Sequence, residues 1–140
     1  MKKNAIKIAV HPSDFKGNII VLLESVTETF KNKEITLPAG FQSDGCSVPE
    51  FLWDSISPAI DPRTLRAGLF HDYLYRNQPQ DWTREEADRL FYEFCREDGL
   101  GLRRSLNAWL GLRIFGGIAW RQNTDEKQKN ISFTPEEKQS

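Results

Sequence analysis

Residues 5–40 alternate between apolar and polar positions, whereas the chain from Val48 onward repeats with a helical period. The alternating part predicts strands near Ile6–Val10, Asn18–Glu24, Val26–Lys31 and Glu34–Leu37, rich in the β-branched residues that suit a pleated surface. Pro12 with Asp14, Lys16-Gly17 and Asn32-Lys33 punctuate them as turns. Val26, Glu28 and Phe30 fall on one face and Thr27 and Thr29 on the other. A sheet of three or four antiparallel strands needs a cover, which the helical part can supply.

Ser47-Val48-Pro49-Glu50 has the capping-box pattern and opens a short helix that ends near Ser57, with Phe51, Leu52 and Trp53 as its apolar bulk. Asp61-Pro62 opens the next helix, which carries Leu65, Leu69, Phe70, Tyr73 and Leu74 as far as Arg76. Asn77 to Trp82 reads as a polar loop, and Thr83-Arg84-Glu85-Glu86 repeats the capping box. Ala87, Leu90, Phe91 and Phe94 then form a stripe that stops at Asp98-Gly99. A last helix over roughly Leu102 to Trp120 is apolar on a broad face and weakened by Gly111, Gly116 and Gly117. The predicted class is α+β: a small N-terminal antiparallel sheet followed by three to four helices, two of them an antiparallel hairpin. Residues 1–120 form one domain in this reading, and 121–140 a polar tail expected to be mobile.

A chain of 140 residues suits a single domain. Nineteen basic and twenty acidic residues leave no overall field to attract nucleic acid, so none is expected as a partner. Cys46 and Cys95 are too few and too far apart for a disulfide framework or a zinc site, and read as buried thiols in a reducing compartment. Met1-Lys2-Lys3 precedes a short apolar run that Lys7 interrupts, with no cleavage site after it, so a signal peptide is not expected. No stretch reaches the roughly 18 apolar residues of a membrane span. The expectation is a soluble protein made in the cytoplasm.

The chain has two histidines, and His71 lies inside a predicted helix with Asp72 directly after it. His71 stands five residues before the helix end at Arg76, and Asp88 five residues after the cap at Thr83. At ~1.5 Å per residue, both lie ~7.5 Å from the turn of an antiparallel hairpin, at one level. A His–Asp pair held between rigid helices builds a general base, because the carboxylate fixes the tautomer and stabilises the charged ring. The same pair also serves as a half-buried polar clamp between two helices, and the spacing alone leaves both open.

The pattern His71-Asp72-x-x-Tyr75 on one helix, with Asp88 on its neighbour, resembles the active-site helices of calcium-dependent secretory phospholipases. That resemblance implies His71 as the base that activates water, Asp88 as the group orienting the ring, Tyr75 as a hydrogen-bond partner of Asp88, and Asp72 as a calcium ligand. Those enzymes are disulfide-rich and carry a glycine-rich calcium loop. Here Gly40-Phe41-Gln42-Ser43-Asp44-Gly45 is a loose counterpart, with Asp44 as a second candidate ligand, and Phe70 and Leu74 flank the histidine instead of cysteines. A broader pattern is Gly40-Phe41-x-Ser43-Asp44-Gly45-Cys46-Ser47-Val48-Pro49, Leu52-Trp53, Arg66-Ala67, His71-Asp72-x-Leu74-Tyr75 and Arg84-x-x-Ala87-Asp88. It resembles a family of small phage and prophage proteins of uncharacterised role. That resemblance implies a viral genome and, as partners, other phage structural proteins.

Other residues admit two readings each. Asp44 either joins the His71 cluster or makes an Asx-type turn with Gly45, and Ser47 reads as a helix cap. Cys46 is a nucleophile only if something lowers its pKa, and burial is the commoner state of a cysteine. His11 beside Pro12 reads as a solvated loop residue. Tyr73, Tyr75 and Trp82 either line a groove or pack in the core. The last helix mixes Arg103, Arg104, Arg113 and Arg121 with Leu106, Trp109, Leu110, Phe115, Ile118 and Trp120. That composition suits an anionic lipid surface or, more commonly, a helix docked over the sheet. Two function classes follow: a small ester or amide hydrolase, calcium-assisted, or a non-enzymatic virion component of tail, neck or assembly type.

Overall fold

The computed structural model describes residues 5–12, 18–43 and 62–132. Among these residues five strands come first, β1 (Ile8–Pro12), β2 (Asn18–Leu22), β3 (Val26–Phe30), β4 (Lys33–Leu37) and β5 (Gln42–Ser43). Three helices follow among the described residues, α1 (Leu65–Asn77), α2 (Arg84–Glu97) and α3 (Leu102–Ser132). The architecture is α+β, as the change of hydrophobic period predicts. The helix expected over Ser47–Ser57, the turn at Lys16-Gly17, and Asp44, Cys46, Ser47 and Asp61 lie outside the described residues.

Among the described residues the strands make two sheets rather than one. β2 lies between β1 and β5, and β3 pairs with β4 alone, every pairing antiparallel. The β3–β4 turn is Lys31-Asn32, one residue earlier than expected, with φ of 50° and 64°. Positive φ at both central positions is the twist-matched two-residue hairpin turn, in which asparagine is well tolerated. His11 is exposed as expected, but it pairs with Ile19 inside β1 rather than sitting in a loop.

The hairpin turns one face to the helices. Val26, Phe30, Ile35 and Leu37 are buried there, beside Ile20 and Leu22 of β2. Phe30 lies 6.2 Å from Trp82 and 6.2 Å, edge-on, from Phe94, which in turn meets Phe70 at 5.7 Å. Trp82 is thus a core residue. Glu28 shares this inward face and lies 3.3 Å from Arg66, whose guanidinium stacks 3.8 Å over Phe94 and bonds Glu97 and Asp98. A buried arginine is tolerable because carboxylates from a strand and from the end of α2 compensate it. Lys33 ties the same hairpin to the start of α2, bonding Glu86 at 2.5 Å over the Trp82 ring.

α1 begins at Leu65 with Thr64 at the cap, later than the proline-led start the sequence suggests; Pro62 belongs to the preceding turn. α2 matches its prediction: Thr83 Oγ1 accepts from Glu86 N at 3.1 Å, and Glu86 Oε1 accepts from Thr83 N at 3.0 Å. Gly99 ends that segment at φ 101°, a value that suits glycine. α3 differs most from its expected course. It packs on α1 and α2, so it covers the helical hairpin. It also continues through residues 121–132, past the end predicted near Trp120. The polar stretch is free of glycine and proline, and its side chains complete the end of α1. Lys127 Nζ donates to the carbonyls of Asn77 and Gln78 at 2.9 Å each, and Gln78 Nε2 donates to Trp120 O at 2.8 Å. A cation on the last carbonyls of a helix is favourable for both hydrogen bonding and the helix dipole.

No described helix is long and apolar enough to cross a membrane. Thr83→Ala should cost about 1 kcal/mol, the usual loss for a helix cap, and lower Tm by several degrees, with Thr83→Ser close to wild type. Equal melting of Thr83→Ala and wild type would show that the box contributes nothing.

Candidate functional site

The hairpin places His71 and Asp88 at one level, as the residue count from the turn requires. His71 Nε2 lies 2.9 Å from Asp88 Oδ1, and Tyr75 Oη donates to the same oxygen at 2.5 Å. Tyr75 is one helical turn beyond His71, so both donors descend from one face of α1 onto α2. The imidazole is packed between rings, 4.1 Å from Tyr75 and 5.5 Å, edge-on, from Phe91. His71 retains 4% side-chain exposure and Asp88 none.

Two further residues complete the cluster, both arginines. Arg113 of α3 donates through Nη1 to Asp88 Oδ2 at 2.9 Å. Arg84, four residues before Asp88 on α2, approaches the same oxygen at 3.8 Å and donates through Nε to Tyr75 Oη at 3.3 Å. Its Nη2 bonds the carbonyls of Leu112 and Arg113 at 2.7 and 2.8 Å. The role of Arg84 was open to sequence reasoning, since a residue at i−4 from Asp88 shares its helix face. Arg113 carried no local signal. The only trace of its arrival was the Gly116-Gly117 pair, which reads as a weakness in the helix. A Cβ at Gly116 would lie 2.5 Å from Tyr75 Oη, so this glycine is where α3 passes over the tyrosine. Tyr75 is packing and network residue at once, with Trp120 edge-on at 5.1 Å.

The electrostatics follow from the partners. Burial alone would raise the Asp88 pKa. The hydrogen bond and charge of His71, then Tyr75 and Arg113, outweigh it and hold the carboxyl below its ordinary value. Tyr75 moves the other way: burial, then the neighbouring Asp88 charge and hydrogen bond, push its hydroxyl well above the usual phenol value. Asp88 is therefore an acceptor at both oxygens, Tyr75 a neutral donor, and the His71 nitrogen facing Asp88 must carry the proton.

Of the two predicted metal ligands, only Asp72 falls among the described residues, and Asp44 lies outside them. Asp72 is buried in α1, and its Oδ1 faces Arg76 Nε at 3.2 Å, while Arg76 Nη1 donates to Gln42 O at 2.7 Å. Among the described residues no three His, Cys, Asp or Glu side chains converge as a metal site would require. Among the described residues, Asp72 is thus paired with a guanidinium. Tyr73 is half-buried against Phe41, 5.4 Å between ring centres, and Cys95 is buried in the core.

Gly116→Ala should destabilise the protein, although alanine favours a helix by about 1 kcal/mol, because the rigid phenol cannot retreat from Asp88. Gly117→Ala meets Arg84 only at 3.7 Å and should be neutral or stabilising. If both variants melt above wild type, the close passage of α3 is not real. Asp88 gives a pH dependence of defined sign. Its folded value is depressed, so its contribution is present above the unfolded value of about 3.9 and lost as pH falls through the folded value. Asp88→Asn should cost about 3 kcal/mol at neutral pH and show a shallower fall of Tm below about pH 4 than wild type. Parallel acid slopes in the two proteins would remove Asp88 as the source.

No curated protein and no solved structure matches the chain. A family model does match, over residues 20–112, which run from β2 into the first part of α3 and include His71, Tyr75, Arg84 and Asp88. The chain belongs to that family, described as proteins of unknown function (DUF1353).

Proposed function

We propose that the protein is a small hydrolase of ester or amide bonds, with His71 as general base. The observation that supports this is the 2.9 Å contact of His71 Nε2 with a fully buried, ionised Asp88. With Nε2–H directed at the carboxylate, Nδ1 is the basic nitrogen of the ring. It would take a proton from water as the water oxygen bonds to the substrate's acyl carbon. The imidazolium so formed is stabilised by Asp88, and its proton passes to the departing alkoxide or amine as that bond breaks. Tyr75 and Arg113 act as positioning residues, since they touch Asp88 and not the imidazole nitrogen that would work. Calcium plays no step in this reading, because Arg76 holds Asp72.

One observation favours a second reading. The imidazole is almost sealed by Tyr75 and Phe91, which suits a clamp joining the helices of a non-enzymatic phage tail, neck or assembly protein. His71→Gln separates the two, since glutamine can still donate to Asp88. With a panel of activated esters, the hydrolase reading expects His71→Gln to lose turnover by about 10²-fold or more while Tm moves by no more than a few degrees. Equal turnover in wild type and variant, with a large fall in Tm, would leave the clamp as the role of the cluster.

A further inference from the structure

The charge around Asp88 is not balanced. A surface depression of about 380 Å³ is lined by Arg84, Arg113, Ile114, Gly117, Trp120 and Arg121. Three guanidinium groups face it and no carboxylate lines it. The single acid beneath, Asp88, compensates one positive charge and has no exposed surface of its own. Asp125, one turn further along α3 from Arg121, makes no ion pair with it among the described residues.

The arginines are anchored and still have donors to give. Arg113 uses Nη1 on Asp88, and Arg84 uses Nε on Tyr75 and Nη2 on two α3 carbonyls. Among the described residues, Arg84 Nη1, Arg113 Nη2 and the whole Arg121 guanidinium meet no acceptor. Both side chains are partly exposed, 22% for Arg84 and 31% for Arg113. The capping box satisfies donors at the start of α2, so the positive field comes from side chains and not from the helix end. Fixed guanidinium forks are the arrangement that recognises tetrahedral oxyanions in bidentate fashion.

We infer that this depression binds a phosphate group, with Arg84 and Arg113 as its anchored floor and Arg121 as its exposed rim. The phosphate can belong to a free anion or to a lipid headgroup. Ile114 sits in the depression and also in the exposed apolar row Leu102, Leu106, Leu110, Ile114 and Ile118 of α3, so both sources meet the same arginines.

The test uses the full chain with inorganic phosphate and pyrophosphate against sodium chloride of equal ionic strength. Vesicles of phosphatidic acid in phosphatidylcholine, against phosphatidylcholine alone, form the second arm. Phosphate or pyrophosphate should raise Tm beyond the chloride control, or phosphatidic acid vesicles should retain the protein. Arg121→Gln, an exposed change that leaves Asp88 untouched, should weaken whichever binding is seen by about tenfold, the loss of one charged hydrogen bond. Binding in the first arm assigns a free anion, and binding in the second alone assigns a headgroup. Failure in both arms, or binding that Arg121→Gln leaves unchanged, overturns the inference.

Discussion

A single carboxylate organises the helical part of this protein. Asp88 is fully buried, and an ion in that position is tolerable only if nearly every lone pair is met. The partners come from separate elements: His71 and Tyr75 from α1, Arg113 from α3, with Arg84 from its own helix alongside. Removing Asp88 would release the two helix contacts together. Arg66, also buried, does similar work for the β3–β4 sheet, joining β3 and the end of α2 to the start of α1 at the open end of the hairpin. The apolar core supplies most of the stabilisation, while these two ions fix how the layers are oriented.

The depressed value of Asp88 and the elevated value of Tyr75 are two aspects of one arrangement. Each proton stays on the group where the neighbours favour it, which leaves His71 with a defined tautomer. A defined tautomer is what a general base requires and what a rigid clamp also produces. The two functional readings therefore share the same ground-state geometry and diverge only in whether substrate reaches the imidazole.

Local and periodic features were legible in the sequence. The capping box at Thr83, the stop at Gly99 and the helix pair all follow from residues within a few positions of one another, and the level of His71 and Asp88 follows from counting along two rods. What was hidden depends on distant partners. The split into two sheets is set by how strands pair across the chain, which alternation alone does not specify. The extension of α3 to Ser132 depends on Lys127 and Gln78 meeting across about fifty residues of sequence. Arg113 is the clearest case: nothing near it in the chain marks it as the ion partner of Asp88. Gly116 was visible as a poor helix residue, and only the packed tyrosine beneath explains it.

The most direct test of the Asp88-centred arrangement is nitrogen-15 NMR of His71 in the folded protein, with the Asp88 carboxyl carbon followed during acid titration. The geometry predicts a proton on Nε2, hydrogen-bonded to Asp88, and a carboxyl that remains ionised at pH values where an ordinary aspartate has protonated. A ring protonated on Nδ1 with Nε2 bare, or an Asp88 carboxyl that titrates at or above the ordinary value, would contradict it.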